Sequence, residues 1–79
     1  MEETRIKQDK INIGQNIRRI RLEKGIGQTE LVRLMQLQGV AIYRESLVKI
    51  ERGTQHITAS QLVGFKECLD TTYEELLKL

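Results

Sequence analysis

Apolar residues recur along this chain at intervals of three and four, rather than two. Ile13, Ile17 and Ile20 form one such series, and Leu31, Leu34 and Met35 a second. Leu47 and Ile50 form a third, and Leu62, Phe65 and Leu69 a fourth. A shorter group, Leu76 and Leu77, follows. This spacing gathers side chains on one side of an α-helix, which advances 100° per residue. No run of β-branched and aromatic residues alternates with polar ones over a strand's length, so strands are not expected. The pattern predicts an all-α chain of five short helices, a compact helical bundle.

Local signals bound each helix. Asn12 with Gln15 three residues on has the form of a capping box and opens the first helix, which Lys24 and Gly25 end. Gly27 opens the second, with Glu30 at the positive end of the helix dipole. Val32 flanks its apolar stripe, and it runs to Leu37 or Gln38 with Gly39 as terminator. The third spans Tyr43–Arg52, and Gly53 stops it. Thr58 with Gln61 and Thr72 with Glu75 repeat the capping-box signal. They open a fourth helix, which Cys68 joins inward, and a short fifth, Tyr73–Lys78, with Leu76 and Leu77 inward. Residues 1–11 lack periodicity and are read as a flexible N-terminal segment, Ile6 and Ile11 being its candidates for touching the body. Residues 12–79 form the domain.

Seventy-nine residues suffice for one small domain, whose core is marginal enough for dimerisation to help. No apolar run is long enough for a membrane helix, and the charged N-terminus lacks the apolar stretch of a signal peptide. The single cysteine allows no internal disulfide. These features point to a cytoplasmic protein. With one histidine, His56, and one cysteine, neither a metal site nor a nucleophile–base–acid set can be assembled. Gly25-Ile26-Gly27 lacks the strand and the further glycines of a phosphate-binding loop. The chain is therefore read as neither an enzyme nor a cofactor binder.

The formal charge is +2, but it is unevenly spread. Residues 1–26 carry seven basic and four acidic side chains, and residues 54–79 two basic and four acidic. The first part of the chain is thus the one able to present a basic face. The third helix sharpens this. Tyr43, Ser46, Leu47 and Ile50 fall on one side of it, and Arg44, Glu45, Val48, Lys49 and Arg52 on the other. Long donors there suit phosphates and base edges, although most charged helix faces are simply solvated. Arg18 and Arg19 point away from the first helix's stripe, with the same two readings. His56 is read as an ordinary polar loop residue, with phosphate contact as the lesser alternative.

Five motifs in this order carry a family resemblance. They are Asn16-Ile17-Arg18-Arg19-Ile20-Arg21, Lys24-Gly25-Ile26-Gly27-Gln28-Thr29-Glu30-Leu31, Lys49-Ile50-Glu51-Arg52-Gly53, Ile57-Thr58-Ala59-Ser60-Gln61-Leu62 and Tyr73-Glu74-Glu75-Leu76-Leu77. Over residues 12–78 the chain resembles the phage-repressor type of helix-turn-helix domain, the Xre/Cro family. The resemblance implies that the second and third helices form the helix-turn-helix and that the third enters the major groove. Gln28 matches a phosphate-gripping position, with Thr29 beside it. Arg44, Glu45 and Ser46 match base-approaching positions, and Lys49 a base- or phosphate-facing one a turn later. Val48 would meet a thymine methyl. Arg52 and the loop after Gly53, including Gln55, match a backbone-contact region. Arg21 and Glu51 match residues that form a buried salt bridge.

Four features depart from the family pattern. The connection through Met35–Ile42 is about five residues longer than usual, by extension of the second helix, of the turn, or of both. Gly27 stands where Ser or Thr is usual. Tyr43 replaces a small polar cap and is expected to pack instead. Lys66 occupies a position that is commonly a buried alanine. The expected function is that of a sequence-specific double-stranded DNA-binding transcriptional regulator. It would act as a repressor and homodimer on a palindromic operator, with the fifth helix (Tyr73, Leu77, Leu79) as the dimer surface. The alternative is a protein-interaction module that keeps the fold without reading DNA.

Overall fold

The computed structural model describes residues 3–79. Five helices follow one another: α1 (Ile13–Glu23), α2 (Gln28–Leu37), α3 (Arg44–Arg52), α4 (Ala59–Cys68) and α5 (Tyr73–Leu76). Two two-residue strands, β1 (Arg5–Ile6) and β2 (Ile57–Thr58), pair antiparallel, with Arg5 opposite Thr58 and Ile6 opposite Ile57. Helix α3 packs on α1 and α2, α4 on α2, and α5 on α1.

The apolar stripes meet in one core, with Val32 rather than half-buried Leu34 completing that of α2. Ile13, Ile17 and Ile20 of α1, Leu31, Val32 and Met35 of α2, and Leu47 and Ile50 of α3 are all buried. So are Ile42, Ile57, Phe65, Leu69 and Leu76, while Leu62 and Cys68 pack on the core's edge. Each fully buried Leu, Ile or Phe contributes about 1.5–3 kcal/mol relative to exposure.

Glycine ends three helices as the sequence indicates. Gly25, Gly39 and Gly53 have φ of 70°, 83° and 78°, a left-handed conformation that costs glycine nothing. After α1, Ile26 N donates to Arg21 O and Gly25 N to Leu22 O, a Schellman motif. After α2 the same pattern recurs with Val40 N on Met35 O and Gly39 N on Gln36 O. The connection between α2 and α3 is therefore long for both reasons: α2 reaches Leu37, and the link from Gln38 to Tyr43 adds to it. That link is packed. Ile42 is buried, Gln36 Nε2 donates to Ile42 O at 2.7 Å, and Gln61 Nε2 to Ala41 O at 3.0 Å. Gly64 of α4 makes room for it, since a Cβ there would lie 3.0 Å from both Met35 Cε and Val40 Cγ2.

Several expectations are corrected. Asn12 makes no capping bond, because its ψ of 67° lies outside the extended region that aims a cap side chain at the helix. Gln8 takes over, its Oε1 accepting from Gly14 N at 2.6 Å. The box at Thr58 is complete, but at Thr72 only the hydroxyl half forms. Helix α5 ends at Leu76, so Leu77 is exposed rather than inward. Tyr43 is 70% exposed and does not pack: it precedes the helix in extended conformation, where the helical wheel does not apply. Lys66 is half-buried, its Nζ 5.5 Å from the Tyr73 ring centre.

Strands were not expected, yet residues 3–11 are held to the body by one. Ile6 packs on the core beside buried Ile57, and Thr4 O accepts from Ala59 N. Gln8 Nε2 donates to both Ile50 O and Gln55 O at 3.0 Å. Met1 and Glu2, also within the segment read as flexible, lie outside the described residues.

Candidate nucleic-acid interface

Helix α3 is set by what lies beneath it. Leu47 and Ile50 are fully buried, and Glu51 between α3 and α1 is 5% exposed. Its carboxylate accepts from Arg21 Nε at 2.7 Å and from Arg21 Nη2 at 3.0 Å. Gln28 Nε2 adds a bond to Glu51 Oε1 at 3.1 Å, and Arg21 Nη1 donates to Ile26 O at 3.0 Å. One buried cluster thus joins α1, the turn after it, the start of α2 and the last turn of α3. Planar, two-pronged Arg–carboxylate pairing fixes orientation as well as distance.

The opposite face of α3 is open. Arg44, Glu45, Lys49 and Arg52 are exposed, and Ser46 and Val48 half-buried. Arg44, Val48 and Arg52 line a groove of about 340 Å³ with Arg18, Gln28 and Glu51. Since Arg21 neutralises Glu51, the groove presents the guanidinium groups of Arg18, Arg44 and Arg52. Among the described residues none of these, nor Lys49, enters an ion pair. Unpaired, solvated cations around a notch between three helices are what a phosphate backbone would meet without first breaking internal bonds. Glu45 lies in the first turn of α3, and Lys49 and Arg52 in its last, each where the helix dipole favours its charge.

Thr29 is exposed at the start of α2. Gln55 lies past Gly53 and lines two further clefts rather than the groove. Arg19 stands apart from the rest: its guanidinium lies 3.2 Å from Glu23, one turn on along α1, and 3.5 Å from Glu75 of α5. The sequence did not single out Gln8, and it left open any ordered role for residues 1–11, an arm on DNA included, where Arg5 and Lys7 lie exposed. Gln8 carries no pattern to find. Arg5-Ile6-Lys7 does alternate, but over too few residues to register as a strand.

The Cys68 thiol is pushed up by burial and by neighbouring Glu67, which keeps it protonated. No group of three or more His, Cys, Asp or Glu able to hold a metal ion occurs among the described residues. No helix among them is long and apolar enough to cross a membrane.

Neither known protein families nor curated proteins yield a match to this chain. A comparison with solved structures does. The crystal structure of the restriction-modification controller protein C.AhdI from Aeromonas hydrophila superposes with a TM-score of 0.72 at 26% identity, covering 84% of this chain and 92% of that one. The resemblance first read in the motifs thus extends to three dimensions, and the chain has the helix-turn-helix fold of a controller protein.

Proposed function

We propose that the protein is a transcriptional regulator that binds double-stranded DNA through α3. The observation carrying this reading is the unpaired basic face of α3, continuous with Arg18 and held in place by the Arg21–Glu51–Gln28 cluster. The likeness to a controller protein supports it. Arg44, Glu45, Ser46, Val48 and Lys49 address base edges. Arg18, Gln28, Thr29, Arg52 and Gln55 contact the phosphate backbone. Arg19 is the weakest member of the set, being engaged by two carboxylates.

Alanine at both Arg44 and Lys49 is expected to cost about 1–3 kcal/mol of base discrimination for each good contact removed. Selection from a random duplex library followed by titration checks this. An unchanged preferred sequence in the double variant sinks the base-reading assignment. Wild-type protein that selects no sequence, and whose binding does not weaken with salt, sinks the function itself.

The regulator acts as a homodimer on a two-fold operator, repressing by occlusion. Tyr73, Leu77 and Leu79 leave apolar surface exposed at and beyond α5, Leu79 being 96% exposed. Replacing Leu77 and Leu79 by lysine should shift the sedimenting species from dimer to monomer without loss of helicity. A variant that sediments like a dimeric wild type refutes this surface, and a wild type that is monomeric throughout refutes the dimer.

A protein-interaction module is the second reading. It has Leu37 and Tyr43 in its favour, 73% and 70% exposed beside the long link. Charge reversal at Arg44 and Lys49 separates the two: it abolishes function under the first reading and leaves it intact under the second.

A further inference from the structure

The ribbon of β1 and β2 has two faces. Ile6 and Ile57 point to the core, so alternation turns Arg5 and Thr58 outward. Just past the paired residues, Lys7 and His56 line one cleft. Arg5, Lys7 and His56 are all exposed. Arg5 and His56 line a cleft of about 450 Å³ with Thr54, Gln55, Thr58 and Gln61. Lys7 and His56 line an adjoining one of about 210 Å³ with Gln8, Asp9, Gly53, Thr54 and Gln55.

This surface is continuous with the end of α3. Thr54 follows the terminating Gly53, and its amide and hydroxyl both donate to Lys49 O, at 3.0 and 3.2 Å. Gln8, two residues past β1, binds the Ile50 and Gln55 carbonyls with one amide group and so ties the segment after β1 to the last turn of α3 and to the loop. Two acids border the ribbon without opposing it. Glu3 accepts from the Ser60 amide in the first turn of α4, and hydrogen bonds from Ser60 hold its carboxyl below the usual range. Asp9 Oδ1 accepts from Lys10 N at 2.8 Å. Among the described residues neither forms an ion pair with Arg5 or Lys7.

We infer that Arg5 and Lys7, with His56 and the polar loop between them and α3, form a second backbone-gripping surface that holds DNA phosphates outside the bases addressed by α3. This rests on the DNA-binding reading above. The segment that carries no helical signal thereby adds affinity without adding sequence preference.

The test is titration of a labelled random-sequence duplex of two to three helical turns at several salt concentrations. Each phosphate contact contributes about 0.9 to the slope of log affinity against log salt. The Arg5→Ala/Lys7→Ala protein should show a slope reduced by about 2 and, near 0.1 M salt, affinity reduced about tenfold or more. Its preferred sequence should be unchanged. An Arg5→Gln/Lys7→Gln protein, which keeps polar side chains along the strand, should behave alike, and helicity by circular dichroism should match wild type in both. Wild-type slope and affinity in these folded variants overturn the inference while leaving the role of α3 standing. Wild-type protein without salt-dependent binding overturns the DNA reading itself.

Discussion

Alanine in place of Gly14 is expected to lower stability by about 3 kcal/mol or more, near the upper end of what overpacking costs. Gly14 lies in the first turn of α1, and its backbone rests on the last turn of α3. A Cβ at this position would overlap the Ile50 carbonyl oxygen and lie 2.7 Å from the Ile50 carbonyl carbon. It would also come 2.9 Å from Gln8 Oε1, the group that accepts from the Gly14 amide. No side-chain rotation relieves a clash between a Cβ and a backbone carbonyl. The helices must separate instead, opening the packing of α1 on α3. A domain of this length has about 4–12 kcal/mol of stability to lose. Thermal unfolding followed by circular dichroism should show the midpoint lowered by about 12 °C or more, at roughly 4–8 °C per kcal/mol for this size. Gly64→Ala is the control, since its Cβ meets only the ends of the Met35 and Val40 side chains. It should cost about 1 kcal/mol, toward the low end of the overpacking range. A Gly14→Ala protein melting within a few degrees of wild type would refute the close approach.

This glycine also marks the limit of what the residues disclose. The stripes of Ile13, Ile17 and Ile20, of Leu31 and Met35, and of Leu47 and Ile50 were legible because burial of a helix repeats every three or four residues. The terminators Gly25, Gly39 and Gly53 were legible because a left-handed residue is a local requirement. Gly14 was not, since it answers to a backbone 36 residues away and leaves no periodic trace. Gln8 is similar: one amide side chain bonds three backbone groups from two helices and a loop. The capping box proposed at Asn12 failed because the motif records residue types, whereas the bond needs a particular ψ. Likewise Tyr43 and Leu77 were placed inward on helical wheels that extended past the helix ends. On the candidate interface, the outward residues of α3 follow from its apolar stripe. The separation of Arg18 from Arg19 does not. Adjacent on α1, one lines the groove, whereas the other bonds Glu23 and lies 3.5 Å from the Glu75 carboxylate, a distinction that depends on where α5 docks.

Glu51→Ala is expected to cost about 3–5 kcal/mol, the penalty for leaving one member of a buried ion pair without its partner. Arg21 is only 7% exposed and would retain a charge with a single remaining bond, to the Ile26 carbonyl. The pair itself need not stabilise the fold. Desolvating two charges offsets most of their attraction, so Arg21→Met with Glu51→Leu should restore stability to within about 1 kcal/mol of wild type or exceed it. Chemical denaturation of both single variants and the double gives the cycle. A Glu51→Ala protein as stable as wild type would show that the carboxylate is not carrying the buried charge. What the apolar replacement cannot restore is geometry. The Arg21 fork and Gln28 fix the last turn of α3 against α1 and α2 from two directions, and Leu beside Met offers no directional equivalent. The double variant should therefore fold as stably as wild type yet bind random-sequence duplex about tenfold more weakly, since under the proposed DNA-binding reading a small displacement of α3 takes Arg52 off the phosphates. Equal binding by wild type and the stable double variant would mean that core packing alone orients α3. Weaker binding at equal stability would assign the buried pair to positioning the DNA-facing helix rather than to holding the domain together.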